Sequence, residues 1–347
     1  MATTTNKKYD DVIVFGPTGD VGGHAALAAS TYGAKVWLGM RTPSKAIPLL
    51  AHQSAGEEKQ WFERIHADLT DPTSIRAAVQ HSGAKAAYVY LVPTADGLAS
   101  SLAAMKAAGI EFVVFLSSFS VPYGAGLDVR AVPPQKLIAH AHAAVEANLE
   151  DLRIPHAALR PAYFASNPFK VGLDAAKFPA LEANIFNGAF EVDCIAPDDI
   201  GRVAGALLVA PPADLLDDKD AAASPAGEKK GKKVFYLCGP QRLSQDGAFD
   251  VIRDVSGRDV TVNHLSMQAW IERQVAVGMP PPVATYLAEA YDHGFTEEQY
   301  RRDMYEQAVA NVKEITGRDA MSFEEYVRLH FDELVGKAAV PGGTFSS

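Results

Sequence analysis

Residues 11–22 read Asp11-Val12-Ile13-Val14-Phe15-Gly16-Pro17-Thr18-Gly19-Asp20-Val21-Gly22. A short apolar, β-rich run passes directly into a G-x-x-G-x-x-G turn. The Ala-rich stretch Gly22 to Thr31 then favours a helix. Glycines in such a turn let the backbone approach a pyrophosphate closely, and the free N–H groups at the helix start face the anion. The spacing is a variant of the dinucleotide fingerprint G-x-G-x-x-G with the same physics. It assigns Gly16, Thr18, Gly19, Asp20, Val21 and Gly22 to a nucleotide phosphate; without a ligand the same residues make a plain tight turn.

Working outward, strand and helix signals alternate. Further strands are expected at Lys35 to Met40, Trp61 to Ala67, Ala86 to Val92, Ile110 to Ser117 and His156 to Arg160. Helices are expected at Thr73 to His81, Leu98 to Ala108 and Gln135 to Leu152. Near-continuous apolar strands separated by helices imply an α/β fold: a Rossmann-type doubly wound parallel sheet covered on both faces. The second half is less regular. Pro161 to Asn187 shows few periodic stretches, Phe190 to Ile195 reads as a strand, Pro197 to Ala210 as a helix and Lys233 to Cys238 as a strand. Helices are expected at Ser244 to Gly257, Ser266 to Gly278, Pro282 to His293, Glu297 to Thr316 and Ser322 to Gly336, with a strand at Val260 to Leu265. Ser322 and Glu325 form a capping box. The organisation that follows is a Rossmann domain over 1–240, with 161–187 contributing to a substrate cleft and 213–233 a mobile loop. A smaller, mainly helical C-terminal substrate lobe takes 241–337, and 338–347 is a flexible tail.

The second strand ends at Arg41, 25 residues after Gly16, with Lys45 one turn on. An NAD-preferring site usually has an acid near this point, to bind the adenosine ribose. A guanidinium suits a 2′-phosphate instead, so the expected cofactor is NADP(H). Asp68 and Leu69 follow the third strand, where Asp68 suits either an adenine contact or a helix cap. Leu91, Val92 and Pro93 follow the fourth strand and are expected under the cofactor's ribose. Ser117 and Ser118 follow the fifth and reach toward the nicotinamide. Pro161 and Tyr163, after the sixth, complete the cofactor set.

The 347-residue chain carries 32 Lys and Arg against 42 Asp and Glu, a formal charge of −10, which argues against nucleic acid as a partner. No apolar run suits a membrane span or a signal peptide, so a cytoplasmic location is expected. Two cysteines, Cys194 and Cys238, are too few for a disulfide scaffold, and no metal site is expected. The apolar faces of the C-terminal helices are open to use as core or as a homodimer interface.

The strings GPTGDVG, LGMRTPSK, ADLTD, FLSSFS, the helix containing Glu146, LRPAYFASN and APDDIGRVA, in this order, resemble the NmrA-like family of atypical short-chain dehydrogenases. LCGPQRLSQ, SGRDV and ITGRDAMSFEEYV resemble the ends of its quinone-reductase-like members. The resemblance spans roughly Asp11 to Leu334. It implies a Rossmann domain carrying NADP(H) and a lobe that closes the substrate cleft. The family includes reductases of quinones and other conjugated small molecules, and cofactor-sensing regulators that dock onto protein partners. The Tyr-x-x-x-Lys pair of typical short-chain dehydrogenases is absent, since none of the 12 tyrosines has a Lys four residues later. Where many members carry a Lys four residues before the helix Glu, this chain has His142, and the usual Tyr place is Ile138. His142, Tyr123 and Ser118 are the catalytic candidates, and His142 is also a cofactor candidate that could bond the ribose, because imidazole titrates near neutrality and Tyr123 lies in the loop beyond the fifth strand. Tyr123, Tyr163, Phe164 and Asn167 are the expected substrate wall, suited to a flat aromatic small molecule. His142 as a partly exposed helix residue, and the wall residues as core packing between lobes, are the alternatives.

Overall fold

A computed structural model describes residues 7–50, 60–122, 128–174, 177, 179–216, 232–293 and 302–338. Its first half is β1 (Asp11–Phe15), α1 (Asp20–Thr31), β2 (Lys35–Met40), β3 (Phe62–His66), α2 (Pro72–Ser82), β4 (Ala86–Tyr90), α3 (Ala99–Ala108), β5 (Phe112–Leu116), α4 (Leu137–Asp151) and β6 (His156–Pro161). The second half adds β7 (Leu181–Ile185), β8 (Glu191–Val192), α5 (Pro197–Val209), β9 (Lys232–Leu237), β10 (Leu243–Ser244), α6 (Gln245–Ser256), β11 (Val260–His264), α7 (Met267–Ala276), α8 (Pro281–His293), α9 (Arg302–Thr316) and α10 (Phe323–Ala338).

One seven-stranded sheet runs β3-β2-β1-β4-β5-β6-β9, with its neighbouring strands paired in parallel. The doubly wound fold read from the sequence is therefore present. Its two faces follow the strand period of two. Val12, Val14, Val36, Leu38, Tyr88 and Val114 pack with α1 and α5. Ile13, Phe15, Trp37, Val89, Val113 and Phe115 pack under α2, α3 and α4. Burial on both faces is why these strands are apolar throughout. α1 and α5 approach closely because α5 offers no side chain there: a Cβ on Gly201 would lie 2.3 Å from the Cβ of His24.

The stretch 161–187 differs from expectation, because it contains β7. Leu181, Ala183 and Ile185 are buried, and β7 pairs in parallel with β11, so its partner is remote in sequence. The strand expected over Phe190 to Ile195 shrinks to Glu191–Val192. Cys194 has φ 50°, outside strand geometry, and Asp193 turns its carboxylate onto two backbone donors. Tyr163 N donates to Asp193 Oδ1 at 2.9 Å and Gly239 N to Asp193 Oδ2 at 2.8 Å. Residues from Tyr163 to Ala196 share one core with Phe249, Trp270, Tyr291 and Tyr326, which is the core of the C-terminal lobe. The capping donor of α10 is present, with Glu325 N donating to Ser322 Oγ at 3.1 Å. Most of the expected 213–233 loop, the 339–347 part of the tail and residues 297–301 of the Glu297 to Thr316 helix lie outside the described residues. Among the described residues no helix is long and apolar enough to cross a membrane, and no His/Cys/Asp/Glu group is placed to hold a metal ion.

Candidate cofactor and active site

The site lies at the carboxyl edge of the sheet, where β1 and β4 are neighbours and the strand order reverses. Gly16 leaves β1 with φ +68°, and Gly19 N returns to Gly16 O at 3.1 Å to close the turn. A Cβ on Gly22 would fall 2.3 Å from Gly16 O, so only glycine lets α1 start here. Gly19 is the N-cap of α1 and supplies no side-chain cap, which leaves the first N–H groups for another acceptor. Asp20 sits in the first turn, and its Oδ2 lies 2.7 Å from Lys170 Nζ.

Arg41 and Lys45 are exposed at the end of β2, across a turn closed by Lys45 N to Thr42 O at 3.0 Å. Arg64 on β3 donates to the carbonyls of Pro43 at 3.2 Å and Lys45 at 2.8 Å and so braces this turn. Burial raises the Tyr90 hydroxyl pKa, and Arg41 and Asp68 act on it with opposite signs, which groups all three at the edge. Asp68 is not the cap of α2. That role falls to Asp71, whose carboxylate accepts from Thr73 N at 2.9 Å, while Asp68 Oδ1 accepts from Thr70 N at 2.9 Å. Leu69 is buried, and Leu91 and Val92 are partly buried against the same core, with Pro93 exposed beside them. Asn148 of α4 ties down the loop after β4, donating to the carbonyls of Asp96 and Gly97 at 2.8 Å each.

At the ends of β5 and β6 lies a buried polar network. Ser117 is 3% exposed, and its Oγ donates to Glu146 Oε1 at 2.6 Å. Arg160 grips the same carboxylate through Nε to Oε1 at 3.0 Å and Nη2 to Oε2 at 2.7 Å. Its Nη1 donates to Tyr236 Oη at 2.6 Å and to the carbonyls of Val121 and Pro122 at 3.4 and 3.3 Å. Burial alone would lower the Arg160 pKa; Glu146 and Tyr236 outweigh it, and the net shift is upward. The network therefore holds its charge and anchors the chain leaving β5. The Ser117 hydroxyl is thus committed to Glu146, while the more exposed Ser118 shares a 2.8 Å hydrogen bond with Ser120.

His142 stands one turn before Glu146, its ring centroid 5.9 Å from that of Phe115. The buried Nδ1 has no hydrogen-bond partner among the described residues. Burial lowers its pKa to about 4, with Glu146 opposing and Arg160 adding to the shift. His142 is therefore neutral at pH 7. Linkage follows: the unfolded chain takes up this proton near 6.5, so the stability tied to neutral His142 is complete above that pH. It is lost as the pH falls toward 4. For His142→Gln the urea midpoint should fall less than the parent's between about pH 7 and about pH 5. An equal fall in both proteins contradicts this burial of the imidazole.

The remaining sequence candidates are distributed differently. Pro161 is buried at the end of β6, and its carbonyl accepts from Phe119 N at 3.0 Å. Tyr163 is 8% exposed in the lobe core, hydrogen-bonded to Tyr291. Phe164 is partly exposed and bridges Ile195, and Asn167 is partly exposed just before a π-helical turn, Pro168–Gly172. Tyr123 lies outside the described residues. Sequence reasoning missed Arg160, Tyr236, Arg64 and Lys170. The one signal for Arg160 was a charged residue closing an otherwise apolar strand.

A family model described as NAD(P)H-binding matches residues 16–204. The nitrogen metabolite regulation-like protein bik4 of Gibberella fujikuroi is 37% identical over 326 residues, covering 92% of this chain and 96% of that protein. The chain belongs to the NmrA-like family of NAD(P)H-binding proteins. Two solved structures share the fold of this family member. An NADPH-dependent quinone oxidoreductase, QOR2 of Escherichia coli, superposes with TM-score 0.62 at 19% identity, covering 92% of this chain and 99% of that one. NmrA, a negative transcriptional regulator, superposes with TM-score 0.63 at 15% identity, covering 96% and 99%. The NmrA-like chain is built for its dinucleotide: the glycine turn leaves no room for a Cβ at Gly22, and the start of α1 lacks a side-chain cap.

Proposed function

We propose that this protein is an NADPH-dependent reductase of a quinone or another conjugated, flat aromatic small molecule. The observation that carries the reading is the edge at β5 and β6. There His142, neutral and with no partner for its Nδ1 among the described residues, stands one turn from a charged network that holds the chain after β5. Arg41 and Lys45 hold the 2′-phosphate of the cofactor, where NAD-preferring sites have an acid. The α1 N–H groups take the pyrophosphate. NADPH, when bound, supplies the hydride.

The chain's residues bind and orient the cofactor and the acceptor. Glu146 and Arg160 keep the β5 loop in place, so that Ser118 and Ser120 present their hydroxyls at the edge. His142 offers a neutral hydrogen-bonding group to the ribose or to the oxygen being reduced. A quinone suits such a site better than an isolated carbonyl. The reduced oxygen of a quinone is a stabilised phenolate and takes its proton from water, so the absent Tyr-x-x-x-Lys relay is not needed.

A second reading is an NADP(H)-responsive regulator that docks a protein partner without turnover. It draws on the name of the 37% identical relative, a regulation-like protein. Steady-state oxidation of NADPH across a panel of quinones and enones separates the two. The reductase reading expects consumption that stops when the acceptor is exhausted. Tight NADPH binding without turnover over the whole panel rejects it.

A further inference from the structure

Asp20 presents a difficulty at the phosphate-binding turn. The start of α1 is uncapped and its N–H groups suit an anion, yet a carboxylate already stands in that first turn. A dinucleotide pyrophosphate arriving there meets a like charge. The structure supplies a counter-charge from a segment remote in sequence, since Lys170 Nζ lies 2.7 Å from Asp20 Oδ2, 150 residues away. Lys170 sits on the π-helical turn Pro168–Gly172. The lobe core fixes that turn: Phe169 is 1% exposed, and Lys170 N donates to Ser166 O at 3.0 Å. Two other titratable groups of the described residues also face Asp20, His24 and Tyr326. Burial chiefly lowers the His24 pKa, with Asp20 opposing, and burial and Asp20 push the Tyr326 hydroxyl pKa upward.

We propose that Lys170 is a positioning residue of the NAD(P)H site that acts through Asp20. By neutralising the carboxylate at the start of α1, it makes the glycine turn acceptable to pyrophosphate, and it couples that acceptance to the seating of the C-terminal lobe. The proposal rests on NAD(P)H binding and is independent of turnover, so a failure of the reductase reading leaves it standing.

The test is calorimetric titration of NADPH into the full chain and its variants. Lys170→Ala should bind about 10-fold more weakly, with the difference shrinking at high salt. Adding Asp20→Asn to that variant should restore the affinity, because the charge that needed compensation is gone. Lys170→Arg should bind like the parent. Thermal unfolding of the cofactor-free variants separates lost affinity from lost fold, and Lys170→Gln replaces the alanine variant if the latter does not fold. Unchanged affinity in Lys170→Ala overturns the proposal. So does equal weakness of Lys170→Ala and the double variant, which would make Lys170 a direct phosphate contact or a purely structural residue.

Discussion

Glu146→Ala lowers the stability of the fold by about 3–5 kcal/mol, the usual cost of stripping one partner from a buried ion pair. Glu146 is fully buried and Arg160 is 4% exposed, so water cannot take over the lost contacts. Three donor bonds lose their acceptor at once, one from Ser117 and two from Arg160. Among the described residues the guanidinium then keeps Tyr236 and two carbonyls at 3.3–3.4 Å. Urea unfolding at neutral pH reads the loss as a lower midpoint with an unchanged slope. The paired replacement Glu146→Leu with Arg160→Met should cost far less than Glu146→Ala, because both charges leave together. If the pair costs as much as the single change, the network's role is shape and not charge.

Arg41→Ala is expected to weaken NADPH binding by about 10- to 100-fold and leave NADH binding nearly unchanged. That range corresponds to one or two charge-assisted hydrogen bonds at about 1.5–3 kcal/mol in total. The selectivity of the loss carries the argument. A general disturbance of the β2 edge would weaken both cofactors alike, whereas removal of a 2′-phosphate ligand affects only the cofactor that has one. Lys45→Ala should show the same preference at smaller size, because an ammonium lacks the bidentate geometry. Equal losses for NADPH and NADH would remove Arg41 from the phosphate site.

Much of the fold is legible in the sequence because the central strands declare themselves. DVIVF, KVWLGM and FVVFL are apolar at nearly every position, which happens only when both faces are covered. β7 does not declare itself in this way. LEANI is as long as DVIVF but carries two polar residues, Glu182 and Asn184, and its partner β11 lies far along the chain. In the candidate site the sequence reaches the right strand ends but not the side-chain directions. Ser117 stands at the end of β5, yet its hydroxyl turns down to Glu146, a choice set by the buried Arg160 across the sheet. Tyr163 follows β6, yet its ring joins the lobe core through Tyr291. A charge such as Arg160 reads as surface until the helix and strand that bury it are placed together. Asp68 shows the opposite case. Two acids three residues apart both suit a cap, and only the hydrogen bonds separate Asp71, which caps, from Asp68, which closes a turn.

In the proposed reaction, bound NADPH delivers hydride to a conjugated acceptor. The most direct test is a single-turnover experiment: protein loaded with one equivalent of NADPH is mixed rapidly with a quinone, and the nicotinamide absorbance is followed. The expected result is a stoichiometric loss of absorbance, far faster than that of free NADPH with the same quinone. The loss should slow in Glu146→Gln, where the β5 loop is released. Decay at the rate of free NADPH for every quinone and enone tried, with the cofactor demonstrably bound, would contradict the account.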